Sequence, residues 1–306
     1  MTSRNSKFMS YTEKRTKRRR IKNLLIFAFP ALAFYFVFLF VPLVGAVYYS
    51  FTDWSPIKPN YSFVGIGNYI EIFTQDKAFI DALLLTMCFT VVIFILQNVI
   101  ALGLALLVET RKKSKTFFRT IFFLPNMLSL IISSLMFRFI YTNVFIELSS
   151  KPFLGFLDQS WLGEPKVAFW SILVVTVWNG AGYMMIIYLA ALQGVPVNLT
   201  EAAKIDGASG FKRLTKITLP MIMHAITICS FLTLIRGFQI FDVVYRLTGG
   251  GPGRATQVVA LNIFEEAFQQ PIRYGYANAK AMIFFAIILV VTLIQTAITK
   301  RKEIES

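Results

Sequence analysis

Six apolar runs, each long enough to cross a bilayer, leave this chain very few folds. They fall at roughly 24–50, 82–108, 120–141, 167–192, 219–241 and 276–299. A helix of about 20 apolar residues matches the hydrocarbon thickness. None of the runs shows the ten-residue alternation of a membrane β-strand. Lipid offers no hydrogen bonds, so a span must satisfy its own backbone, and helices are the structure left. The 306-residue chain is 56% hydrophobic, more than soluble domains usually reach. The expected fold is therefore all-α, a polytopic membrane protein with six transmembrane helices and a long helical cytosolic loop after the fourth.

The net charge of +15 would point to nucleic acid in a soluble protein, but its placement argues for orientation. Of the lysines and arginines, 21 lie in the N-terminal tail, the loops after spans two and four, and the C-terminal tail, against 7 in the opposite loops. The positive-inside rule puts both termini and the long loop in the cytosol, with the basic tail beside anionic lipid and no nucleic-acid partner. The first apolar run exceeds a signal-peptide core and lacks an A-x-A-like site, so it is read as a retained span. Cys88 and Cys229 both fall inside spans, where they read as packing residues and not as a disulfide or metal pair.

Local chemistry refines the plan. Pro30 and Pro42 each remove a donor from span one, so kinks are expected there. Tyr48, Tyr49, Phe51 and Trp54 form an interfacial belt at its outer end. In the segment that follows, Ile66, Tyr69, Ile70 and Phe73 recur at helical spacing and predict a short interfacial helix. Pro125 interrupts span three. The stretch LTGGGPGRAT at 247–256 reads as a loop.

Residues 194–220 carry the strongest signal. Gly194 and Pro196 end span four, and Asn198 or Thr200 is placed to cap a new helix. Glu201 is then expected in the first turn, where a carboxylate suits the helix dipole. Ala202 and Ala203 are small helix formers that let a partner approach the backbone. Gly207 suits the left-handed position that stops the helix, and Ser209 can cap a second helix over 210–218. Pro220 is placed in the first turn of span five. Helix–helix connections in bundles commonly run 2–8 residues. A loop of about 25 that is amphipathic and orderly is explained by a docking partner.

The sequence EAAKIDGASGFKRLTKITLP at 201–220 closely resembles the EAA loop of binding-protein-dependent ABC importer permeases. FVGIGNY at 63–69, RTIFFLP at 119–125, YLAALQGVPVNLTEAAKIDGA at 188–208 and LTGGGPGRAT extend the resemblance, which is to sugar-type permeases of the maltose-importer family, over nearly the whole chain. It implies a machine of two permeases, the second non-identical, two ATPase subunits and an extracellular solute-binding protein. Glu201, Ala202, Ala203, Asp206 and Gly207 would lie on the coupling helix that fits a cleft on the ATPase. Gly250, Gly251 and Pro252 would lie in an outer loop contacting the binding protein. The implied organisation is a basic cytosolic tail (1–23), a first transmembrane helix with its outer segment (24–79), a core permease domain (80–299) containing the EAA loop (194–220), and a cytosolic tail (300–306). The implied location is a bacterial-type cell membrane. Ala225 stands where relatives often carry proline, and no outer segment is long enough for the extra domain of some maltose permeases.

Other classes are disfavoured by missing parts. There is no G-x-x-x-x-G-K-[ST] run, so the chain is read as no enzyme and as binding no cofactor; ATP and magnesium belong on the partner ATPases. The sixteen acidic residues fall in loops or at span edges, which disfavours ion coupling. A single histidine, His224, cannot make a paired-histidine metal site. A passive six-helix channel remains as the different-class alternative.

For a solute path, polar groups within spans are the candidates. Arg236 is the sharpest, because a central charge costs roughly 2.5–3.5 kcal/mol on insertion scales. Thr233, Arg236 and Gln239 share a face of span five, and Thr176, Asn179 and Tyr183 share one of span four. Asn179, Tyr183, Arg236 and Gln239 are taken as the path. The competing role is interhelical hydrogen bonding, which also covers Gln97 and Asn98, while Arg236 has Asp242 as an available counter-charge. Arg138 and Lys280 are expected to snorkel to the outer interface. A carbohydrate, di- or oligosaccharide, is the expected solute, with glycerol-phosphate the alternative.

Overall fold

Breaks in the apolar helices, and what fills them, organise the bundle. The computed structural model describes residues 26–301 apart from 58, 59, 112 and 270. The basic tail expected over 1–23 and most of the C-terminal tail lie outside the described residues. Twelve helices follow among the described residues: α1 Ile26–Tyr49, α2 Gly67–Thr74, α3 Lys77–Glu109, α4 Lys115–Met127, α5 Leu130–Ser149, α6 Pro165–Gln193, α7 Val197–Ile205, α8 Gly210–Met221, α9 Met223–Phe238, α10 Asp242–Leu247, α11 Val259–Phe268 and α12 Tyr274–Lys300. Five are long and apolar enough to cross a membrane, and α8 with α9 makes a sixth if the bent pair is one span. We call the end carrying α7 and α8 the basic end and the other the far end.

Two spans differ from the sequence reading. Span three does not run through 120–141. Leu128 and Ser129 are extended, so α4 stops and α5 starts afresh, reaching as far as Ser149. Pro125 sits in the last turn of α4; it has no N–H to continue the ladder. Span five is bent by 76° at Ile222. Pro220 therefore belongs to the short helix before the bend, and the span proper begins at Met223. In α1, Val41 bonds back to Phe36 across a π turn immediately before Pro42. That wider turn accommodates the missing donor.

The stretch 247–256 is the turn expected, and helices not expected from the sequence flank it within the far segment 242–275. Helices α10 and α11 form the arms of a hairpin whose Val243, Val244, Leu247, Val258 and Leu261 are buried with Phe89, Ile172 and Tyr141 in one core. A second core at the basic end joins α3, α6 and α9 through Ala101, Met185, Tyr188 and Cys229. A third joins α2, α3, α11 and α12 through Ile72, Phe79, Val259 and Tyr276. Both cysteines are free; Cys229 is a packing residue of the second core, as expected, while Cys88 is exposed. On α2, Ile66, Ile70 and Phe73 are exposed while Asn68 and Ile72 are buried, the two-sided pattern of an interfacial helix.

Helix α6 is the axis. It is buried on most of its circumference, while α1 has no buried residue, so one helix is packed in protein and the other is left for lipid or a neighbour. Small residues set the approach of α6 to its neighbours, as expected where close van der Waals packing drives association. A Cβ on Gly182 would strike the carbonyl of Phe122 in α4. We expect Gly182→Ala to cost about 1–3 kcal/mol by overpacking, seen as a lower unfolding midpoint in detergent. Gly103→Ala in α3, where a Cβ meets nothing within 4 Å, should leave the midpoint unchanged or raise it. Equal midpoints for the two variants would contradict this packing.

Candidate functional site

The basic-end loop is built from two short helices and a tight stop. Helix α7 starts at Val197 behind an extended Pro196 that provides no side-chain cap. Asn198 and Thr200 do not cap it. Asn198 accepts from its neighbour Leu199, and Thr200 donates back to Val197. Glu201 is consequently the fifth residue of the helix and not in its first turn, and its side chain is exposed. The helix ends as the sequence implies. Gly207 has φ +74°, its N–H bonds to Lys204 O at 3.1 Å, and Ala208 N–H bonds to Ala203 O at 2.9 Å, the paired bonds of a Schellman stop. Ser209 caps α8 by accepting from Lys212 N–H.

No residue of α7 is buried. Ile205 is 87% exposed, Phe211 76% and Val197 67%. These apolar side chains stand beside Glu201, Ala202, Asp206 and Gly207, all exposed, with Ala203 half-buried. They lie outside the spans, among Lys204, Lys212 and Lys216. An exposed apolar patch rimmed by charge is the kind of surface that protein or membrane contacts use.

Within the membrane, the four residues taken as the path separate. Asn179 faces the break between α4 and α5. Its amide donates to Pro125 O at 3.0 Å and Leu128 O at 3.3 Å and approaches Ser133 Oγ at 3.4 Å. Asn98 joins Thr233 Oγ1 to the hydroxyl of Tyr188, which donates to Asn98 Oδ1 at 2.7 Å. These are helix-joining bonds. Tyr183 and Arg236 do come together, with the guanidinium carbon 5.1 Å from the ring centroid. Tyr183 is ten residues from the basic end of α6, about 15 Å along the helix, so the pair sits near mid-depth. Arg236 is exposed and forms no ion pair with Asp242 or any other carboxylate among the described residues. Gln239 ends α9 and is exposed.

At the far end, the glycine-rich turn closes on itself. Thr256 Oγ1 donates to Gly251 O at 2.6 Å and pairs with Thr248 Oγ1 at 2.7 Å. Gly250 is buried, and Gly251 and Pro252 are half-buried. Below it lies an ionic cluster the sequence reading missed. Lys280 does not snorkel. It is 1% exposed and pairs with Asp76 at 2.8 Å and Glu266 at 2.7 Å. The signal was present, because a lysine inside an apolar run needs a counter-charge, and Asp76 and Glu266 flank the same end.

The chain was compared with known proteins. Residues 98–304 match the model for the binding-protein-dependent transport system inner membrane component. The chain belongs to that family. The probable starch degradation products transport system permease protein AmyD of Thermoanaerobacterium thermosulfurigenes is 36% identical over 281 residues, covering 92% of this chain and 94% of that one. The multiple sugar-binding transport system permease protein MsmF of Streptococcus mutans is 34% identical, covering 88% and 92%. The trehalose/maltose transport system permease protein MalF of Thermococcus litoralis is 32% identical, covering 91% and 94%. A crystal structure of a bacterial ABC transporter that imports the acidic polysaccharide alginate has the same fold, with TM-score 0.80 at 22% identity over 94% of this chain and 99% of that one. This inner membrane component is therefore a permease subunit of a transport system, and the passive channel is set aside.

The permease's far-end cluster has a pH signature. Burial alone would raise the Asp76 carboxyl. The hydrogen bond from Lys280, the amide of Phe79, the Lys280 charge and the Tyr276 hydroxyl outweigh it and hold it below the ordinary 3.8. A depressed carboxyl contributes stability above its unfolded value and loses it as pH falls through the folded one. We expect acid unfolding of the purified permease to lose this contribution below pH 3.8. Asp76→Asn should be less stable at neutral pH and show a flatter acid limb in a thermal-melt series. An acid limb identical to the unaltered protein would remove Asp76 from the account.

Proposed function

We propose that this chain is one of two permease subunits of an ATP-driven importer, and that it passes a carbohydrate, a di- or oligosaccharide, from an extracellular solute-binding protein to the cytosol. The supporting observation is the α7–α8 loop, a charged knob whose largest apolar side chains, Ile205 and Phe211, stand outside the spans with nothing covering them. Partners are a second, non-identical permease, two ATPases that carry ATP and magnesium, and the binding protein. Both termini lie in the cytosol of a bacterial-type cell, consistent with the charge asymmetry. The sugar assignment is supported by relatives whose names specify starch products, multiple sugars and trehalose or maltose.

In this mechanism, closure of the ATPase dimer displaces α7. Glu201 orients the knob, Ala202 and Ala203 let the ATPase surface approach, and the Asp206–Gly207 stop fixes where the chain turns back. Ile205 and Phe211 supply the burial that anchors it. Glu201→Ala and Gly207→Asp should leave the membrane part assembled and lower uptake. Ile205→Asp should weaken capture of the ATPase by roughly tenfold or more, as a buried apolar anchor does. Unaltered uptake and capture in all three would refute docking through this loop.

Tyr183 and Arg236 form the solute contact of this subunit, a ring face and a donor fork at mid-depth. Arg236→Ala is expected to change transport rate or sugar preference in proteoliposomes. Kinetics matching the unaltered protein for every sugar tried would reassign Arg236 to packing. Arg236 has no carboxylate partner among the described residues, which favours a second reading, a phosphorylated solute of the glycerol-phosphate type, since a guanidinium binds phosphate bidentately. Competition of sugar uptake by glycerol 3-phosphate separates the two.

A further inference from the structure

The buried Lys280 cluster is larger than a local ion pair. The ammonium of Lys280 donates to Asn262 Oδ1 at 2.9 Å and to Glu266 at 2.7 Å, both on α11, and lies 2.8 Å from Asp76, the N-cap of α3. A lysine has three donors, and here all are used. They join α3, α11 and α12, with the rings of Phe79 and Tyr276 alongside at 5.7 and 4.8 Å. Tyr276 also donates to Asp76 at 3.1 Å, and Arg273 ties Glu71 and Glu266 at the rim. Glu265 and Arg254 complete the charged groups around the adjoining cavity of about 160 Å³.

Helix α11 is the second arm of the hairpin and follows directly from the glycine-rich turn. Its first amide, Val259 N–H, donates to Thr86 Oγ1 of α3 at 2.9 Å. Its last turns are held by Lys280. The arm is thus bonded to α3 directly at its start, and at its last turn through Lys280 of α12 to Asp76 at the head of α3. We propose that Lys280 is a positioning residue for the permease's far end. By pairing with Asp76 and Glu266 together, it holds α11 and the 248–258 turn in the register that receives the solute-binding protein. This rests on the reading that the far end is the receptor side.

Charge pairing and simple packing make different demands. Removing one partner leaves a buried charge uncompensated, whereas neutralising the whole set by residues of similar shape is tolerated where only packing matters. The test is amide exchange by mass spectrometry on the purified permease in lipid nanodiscs, comparing Lys280→Met with the combined Asp76→Asn, Glu266→Gln, Lys280→Met variant. Exchange over 255–268 should rise by roughly tenfold or more in both variants, reporting local opening, while peptides of α6 stay unchanged. Exchange over 255–268 at the unaltered rate in the combined variant would overturn the proposal, since packing would then suffice. If Lys280→Met does not accumulate, the combined variant decides alone. The receptor reading fails separately. Gly251→Glu with unaltered uptake of radiolabelled maltotriose, in a protein that takes it up, would refute it without touching the exchange result.

Discussion

Lipid supplies no hydrogen bonds, and this permease breaks its helices inside the apolar layer, so the fold depends on one helix that repairs the breaks. Helix α6 is that helix. Asn179 covers the carbonyls of Pro125 and Leu128 where α4 gives way to α5. Its own carbonyl accepts from Asn126 at 3.4 Å. An uncovered carbonyl at that depth would cost about as much as a lost buried hydrogen bond, on the order of 1–3 kcal/mol. Closeness comes from Gly182, and polar satisfaction from Asn179 one turn away. The same helix bears Tyr183 on the surface shared with Arg236. The repair at Asn179 and the Tyr183–Arg236 contact are thus set on neighbouring positions of one buried helix.

What the sequence disclosed follows from how local each feature is. Four of the apolar runs, the stop at Gly207 and the cap at Ser209 depend on residues close along the chain, and they are where the pattern places them. The two short helices of the basic-end loop were legible for the same reason. The start of α7 was not, because Pro196 begins the helix by its fixed φ alone, and that pushes Glu201 past the first turn. The break at Leu128 was half legible. Pro125 announced an interruption, but the restart depended on Asn179, 51 residues later along the chain from the carbonyl it covers.

The arms of the far hairpin went unread for a related reason. Three glycines and a proline describe the turn correctly, and say nothing of the arms. Helices α10 and α11 are short, and their burial comes from α3, α5 and α6. Lys280 was assigned to the interface because snorkelling is the usual outcome near a span end. The structure favours pairing instead, since Asp76 is held at the N-terminus of α3 by its bond from Phe79 N–H at 2.8 Å, already aimed inward. Of the polar groups within the membrane, Asn179 and Asn98 serve helix packing, while Arg236 meets the Tyr183 ring and no carboxylate among the described residues. Only partners distant in sequence decide between those outcomes.

One continuous stretch of chain links the exposed knob to the mid-membrane arginine. From Ser209 it passes through α8, turns by 76° at Ile222, and rises through α9 to Arg236. The bend separates α8, which buries no residue and meets the second core through Leu219, from the packed α9. Above it, Gly237 rests against Thr90 of α3, where an added Cβ would come within 2.9 Å of backbone, and Thr233 is bonded to Asn98. Below it, α7 and α8 bury nothing. A force applied at Ile205 therefore meets its first firm resistance at the bend, and a change in the bend angle turns or tilts α9 against α3. Packed helices respond to such loads by small discrete shifts and not by continuous deformation. Such a shift would move Arg236 relative to Tyr183, which is fixed on the buried α6. In this geometry the exposed α7–α8 knob and the Tyr183–Arg236 pair lie at two ends of one kinked stretch of chain, and the buried α6 beside it is the fixed reference.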